Sequence, residues 1–115
     1  TDNKLGIDLQ NKLALNKGVL LFKERNYTEC VTYFKKIFKE LFSNEKISPA
    51  GLETKSKVYY YLAWCHKLMG NAKQSLKYFE LQKEIALTLK DHIKIARILD
   101  NIANLYANDK NYKLL

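Results

Sequence analysis

Three stretches of this chain align without an internal gap: Lys17-Gly18-Val19-Leu20-Leu21-Phe22-Lys23-Glu24-Arg25-Asn26-Tyr27, Leu62-Ala63-Trp64-Cys65-His66-Lys67-Leu68-Met69-Gly70-Asn71-Ala72 and Ile102-Ala103-Asn104-Leu105-Tyr106-Ala107-Asn108-Asp109-Lys110-Asn111-Tyr112. The small residues Gly18, Ala63 and Ala103 fall in register, 45 and 40 residues apart, each followed nine residues later by Tyr27, Ala72 or Tyr112. Twelve residues beyond the first two come Cys30 and Ser75, again small, and sixteen beyond come Phe34 and Phe79. One small residue on each of two helices lets their backbones approach closely, and an aromatic one turn further fills the groove beside them. The spacing predicts a repeated pair of packed helices.

Outward from these stretches, apolar residues recur at helical spacing almost throughout. A first helix carries Leu9, Leu13, Val19 or Leu20, and Phe22 as far as Lys23–Glu24, before an Arg25-Asn26-Tyr27 turn. Thr28 is the N-cap or a first-turn residue of a second helix through Phe42, with Val31, Phe34, Ile37, Phe38 and Leu41 as its buried stripe. Ser48-Pro49 then places a third helix at Pro49 or one turn later, running to Met69, where Gly70 stops it in a left-handed conformation. A fourth covers Ala72 to Lys90, Asp91 caps a fifth from His92 to Ala107 or Asn108, and Asn111-Tyr112 opens a sixth. Helices joined by such short connections pack as antiparallel pairs. The 115 residues form one all-α domain: repeat 1 at about 8–43, a linker at 44–54, repeat 2 at about 55–90 and a partial third repeat at 92–115.

This pattern resembles the tetratricopeptide repeat, with a large and a small residue in the first helix, an aromatic at the turn, and a small residue then an aromatic in the second. It departs from that signature at Lys17, where Leu is expected, at His66, where Tyr is common, and in lacking the closing Pro. The segment Leu87-Thr88-Leu89-Lys90-Asp91 with Ile95-Ala96-Arg97-Ile98-Leu99-Asp100-Asn101-Ile102-Ala103-Asn104-Leu105-Tyr106 is similar to the longer repeats of Rap- and PlcR-type peptide-sensing regulators and of LGN-type scaffolds. The resemblance implies a right-handed α-solenoid of about two and a half repeats. Its first helices would line a concave groove.

Composition limits the function. With 47% hydrophobic and 28% charged residues, the chain fits a globular class, and its single proline and four scattered glycines argue against turn-rich β folds. No apolar run approaches the ~18–20 residues of a membrane span. No secretory leader is evident, and a start at Thr1 suits a trimmed piece of a larger protein. Two cysteines inside apolar patterns, Cys30 and Cys65, suit packing roles and a reducing, cytoplasmic setting. The net charge of +8 attracts acidic surfaces, but Arg25 and Arg97 are the only arginines and the lysines are spread along every segment. Nucleic acid would therefore be met only through a missing domain or a weak basic surface.

Reactive chemistry is not expected. His66 sits on an inward stripe and His92 at a helix start, neither beside a nucleophile, and no zinc-binding spacing occurs. Gly6, Gly18, Gly51 and Gly70 make no phosphate loop, and Glu24, Glu29, Glu80 and Glu84 fall on polar faces. No enzyme, metal or cofactor follows from these residues.

The resemblance assigns the groove to the outer faces of the first helices: Lys12 and Asn16, then Lys57, Tyr61 and Trp64, then Arg97, Asn101, Asn104 and Asn108. Asparagine is a mediocre helix former, so three on one face need a reason. A carboxamide donates and accepts, and a row of them can hold the N–H and C=O groups of an extended peptide. Tyr61 and Trp64 would anchor a side chain, unless Trp64 is core, while Lys12, Lys57 and Arg97 would take carboxylates. The expected function is a non-catalytic module that binds a peptide or protein segment, the sensor part of a bacterial transcription or signalling regulator. Two alternatives stand beside it: a module for nucleic acid or an acidic surface, and a self-associating scaffold that dimerises through the C-terminal end at Leu114-Leu115.

Overall fold

The structure is a computed structural model describing residues 2–42, 47–110 and 114. It contains five helices, α1 (Asp2–Lys23), α2 (Tyr27–Leu41), α3 (Pro49–Leu68), α4 (Ala72–Thr88) and α5 (His92–Ala107), with no strand among the described residues. The start of a sixth helix expected at Asn111-Tyr112 lies outside the described residues.

Helix ends follow local chemistry. Ser48 Oγ accepts from the Gly51 N–H at 3.0 Å with Pro49 in the first turn, and Asp91 Oδ1 accepts from the Lys94 N–H at 3.1 Å. Three helices then end in one device. Arg25, Gly70 and Lys90 have φ of 63°, 84° and 56°, and the residue after each donates its N–H back to Leu21, His66 and Ala86 respectively. Only Gly70 has the residue type that makes this conformation cheap. The first turn accordingly falls at Glu24–Asn26 rather than Arg25–Tyr27, and α4 ends at Thr88 rather than Lys90.

Helix α1 departs from expectation in two ways. It starts at Asp2, well before Leu9, and runs through Gly6 with no proline in the segment, an aspartate being favoured at a helix N-terminus. Its inward stripe is Asn11, Leu15 and Gly18, whereas Leu9, Leu13 and Leu20 are 58%, 62% and 56% exposed. Apolar residues occupy both faces of α1, so periodicity alone does not choose between them.

Two apolar clusters hold the helices. In the first, the fully buried Phe34 lies against Gly18, where an added Cβ would overlap its ring. Beside that contact the Cys30 thiol donates to the Gly18 carbonyl at 3.3 Å, and the Tyr33 hydroxyl donates to the Ala14 carbonyl at 2.9 Å. Moving back along α1 matches moving forward along α2, so the two run antiparallel. Val31, Ile37, Phe42, Val58, Leu62 and Cys65 complete this cluster with Leu15. In the second, Ala63, Phe79 and Ala86 meet Ile98, Ile102 and Leu105. Ala63, Ser75 and Phe79 are fully buried, as are Cys30 and Phe34 at the corresponding places. The third register position differs: Ala103 is exposed, because α5 turns Ile98, Ile102 and Leu105 inward instead.

Helix α3 packs against α1, α2 and α4, while α5 packs against α4 alone. Among the described residues, no Cα of α3 comes within 8 Å of one of α5, nor one of α2 within 8 Å of one of α4, although α3 and α5 side chains share the second cluster. These omissions leave two grooves.

Candidate binding cleft

Between α3 and α5, over α4, lies a cleft of about 510 Å³. Lys57, Tyr60 and Tyr61 line it from α3, and Lys94, Arg97, Ile98, Asp100 and Asn101 from α5. Spacings of three and four residues put each set on one helical face. Gln82 of α4 forms the floor, is only 5% exposed, and buries its Oε1 without a hydrogen-bond partner.

The electrostatics are cationic. Lys57, Lys94 and Arg97 face the cleft with one carboxylate, Asp100. Lys94 leans toward Asp91 at 3.9 Å, and Arg97 has no ion-pair partner among the described residues. The aromatic wall is anchored from behind: Tyr61 meets Tyr60 edge-on at 5.2 Å, Phe22 at 5.2 Å and Phe34 at 6.2 Å. Burial, with Tyr60 and Cys30 adding to it, raises the Tyr61 phenol above its ordinary value, so the hydroxyl stays neutral.

Of the residues expected to form a groove, Lys57, Tyr61, Arg97 and Asn101 come together here. Lys12 and Asn16 are exposed on α1 and do not line the cleft. Trp64, which the sequence leaves open between groove and core, is half-buried against the second cluster, edge-on to Phe79 at 6.3 Å and 88°, with the Lys67 ammonium 4.5 Å from its ring. The approach of α4 behind α3 covers its indole. Asn104 is exposed beyond the cleft, and Asn108 borders a separate hollow of about 400 Å³ beside Lys67 and Leu105.

Gln82, Lys94 and Asp100 escape the sequence reading. Gln82 had a visible signal: it interrupts the buried stripe Ser75, Phe79, Ala86 with a carboxamide. A polar residue on an inward stripe marks either a satisfied network or an open site.

Nothing reactive joins the cleft. His66 is buried, stacked on Tyr78 at 5.6 Å and 12°, with the Asn71 amide 3.5 Å from Nδ1. Burial, then the nearby Lys35, lowers its pKa. The Cys65 thiol is pushed up by its hydrogen bond with Cys30 and by burial, and both cysteines are free. Among the described residues no group of three or more His, Cys, Asp or Glu is placed to hold a metal, and no helix is long and apolar enough to cross a membrane.

Compared with known proteins, the chain matches no family model, no curated protein and no solved structure significantly.

Proposed function

We propose that this chain is a non-catalytic interaction module of the tetratricopeptide type, its helix pairs stacked as a right-handed solenoid, and that it holds an extended peptide or partner segment between α3 and α5. Two equivalent contacts support the repeat reading, Phe34 on Gly18 in one pair and the fully buried Ala63 and Phe79 in the next. One observation carries the binding reading: Lys57, Tyr61, Arg97 and Asn101 line one cleft with Gln82, whose buried Oε1 has no hydrogen-bond partner. An unsatisfied buried acceptor costs about 1–3 kcal/mol, and a backbone N–H entering the cleft removes that cost. Asn101 can accept and donate to the same extended backbone, while Arg97 offers its fork to a carboxylate. On this reading the chain is the sensor part of a bacterial transcription or signalling regulator in the cytoplasm.

The experiment is selection of short displayed peptides on the intact chain, followed by calorimetry of the best binder. Changing Arg97→Ala with Asn101→Ala weakens it at least tenfold, about 1.4 kcal/mol, at unchanged helicity. Undiminished affinity removes the assignment.

A second reading has its own support. Leu99, Ala103 and Tyr106 lie exposed at spacings of four and three on the outer face of α5, which favours self-association through that helix. Sedimentation decides it: a monomer at every concentration rules it out.

A further inference from the structure

The second groove lies between α2 and α4, over Tyr59 and Leu62 of α3, and encloses about 760 Å³, more than the α3–α5 cleft. Its floor is apolar, made of Phe38, Tyr59, Leu62, Tyr78 and Leu81. Its walls carry Lys35, Lys36 and Lys39 from α2 and Lys77 from α4, against the single carboxylate of Glu40. None of these lysines is ion-paired among the described residues, although the chain does pair Lys83 with Glu80 at 2.8 Å elsewhere on α4. A further ammonium, Lys55, lies 5.3 Å from the Phe38 ring and 5.9 Å from the Tyr59 ring. Unpaired cations around a water-excluding floor repel one another, and an anionic occupant relieves that repulsion.

We infer that this groove is a second docking surface, for an acidic peptide segment of a partner protein that seats an apolar side chain on the Tyr59–Tyr78 floor. Charge complementarity names the acidic segment, since four lysines face one glutamate. The volume lies in the range of pockets that enclose side chains and small ligands, ~300–1,000 Å³. A nucleic-acid strand fits less well, because base stacking needs free ring faces. Here His66 stacks on Tyr78 at 12°, Tyr59 packs against Tyr78 at 5.9 Å, and Lys55 covers Phe38. The walls also lack arginine, the better fork for phosphate. This surface is independent of the α3–α5 cleft and of the peptide reading given to it.

The test is fluorescence anisotropy on the intact chain with three labelled probes. One is a short peptide of Glu and Asp with two central Leu, the second replaces those Leu with Ser, and the third is an oligo-dT strand of equal charge. The Leu peptide binds wild type, at least tenfold more weakly in Lys36→Glu with Lys77→Glu, and the Ser peptide binds at least tenfold more weakly than the Leu peptide. Both lysines are exposed, so the fold survives, and Lys36→Gln with Lys77→Gln shifts affinity the same way by less. Arg97→Ala leaves this binding unchanged. The inference is overturned by no binding, by equal affinity for the Leu and Ser peptides, or by tighter binding of oligo-dT. It also fails if the charge-reversed variant binds like wild type or if Arg97→Ala alone abolishes binding.

Discussion

The Phe34 ring occupies the space that a side chain on Gly18 would need, and it also stacks on Tyr61, 6.2 Å away and nearly parallel. Through that ring a glycine on α1 sets the position of an aromatic wall of the α3–α5 cleft.

Gly18→Ala should therefore destabilise the chain despite the ~1 kcal/mol that alanine gains over glycine in a helix. Overpacking a dense core costs about 1–3 kcal/mol, and the fully buried Phe34 has little room to yield. Urea unfolding should show a net loss, and adding Phe34→Leu should cost less than the two single changes combined. Strict additivity would contradict the contact.

The three left-handed helix ends make a prediction of opposite signs. Arg25→Gly and Lys90→Gly relieve a conformation that costs a side chain roughly 1 kcal/mol, so each raises thermal stability, and together they add. Gly70→Ala lowers it. Differential scanning fluorimetry of the variants reads the signs directly.

Fold and site were not equally legible in the sequence. The pairing of Gly18 with Phe34 and of Ala63 with Phe79 could be read because close helix contact demands small and large residues at set spacings. Ser48, Gly70 and Asp91 marked helix ends because their residue types carry the capping chemistry. Arg25 and Lys90 give no such sign, since neither residue type favours the left-handed backbone that the local closure onto Leu21 and Ala86 requires. The buried face of α1 has no unique mark in the sequence, because Leu9, Leu13 and Leu20 oppose Leu15 on a helix apolar on both sides. The cleft itself depends on α3 and α5 standing apart, which no local pattern encodes. Lys12, Asn16, Trp64, Asn104 and Asn108 share first-helix positions with the cleft residues in the sequence but do not line the cleft.

His66 gives a pH dependence with a definite sign. Its folded pKa lies below the ordinary 6.5, so the unfolded chain takes up a proton that the folded chain refuses. The stability contribution is complete above about pH 6.5 and declines as pH falls from there toward the folded value. Urea midpoints across this window should fall on acidification in wild type and less steeply in His66→Gln. Equal slopes would contradict a buried, neutral histidine.

Gln82→Leu should separate stability from binding. Removing a buried acceptor with no partner is neutral or stabilising by about 1 kcal/mol. The same change removes the floor's hydrogen-bonding carboxamide and should weaken any selected peptide. Calorimetry alongside thermal melts checks both directions.

The most direct measurement is a nitrogen-15 NMR titration of the intact chain with the best selected peptide. The account predicts the largest shifts at the side-chain amides of Gln82 and Asn101 and along the Arg97 face of α5, with Asn16 undisturbed. Shifts centred on Asn16 and Lys12, or on Leu99 and Tyr106, with the Gln82 amide unmoved, would contradict it.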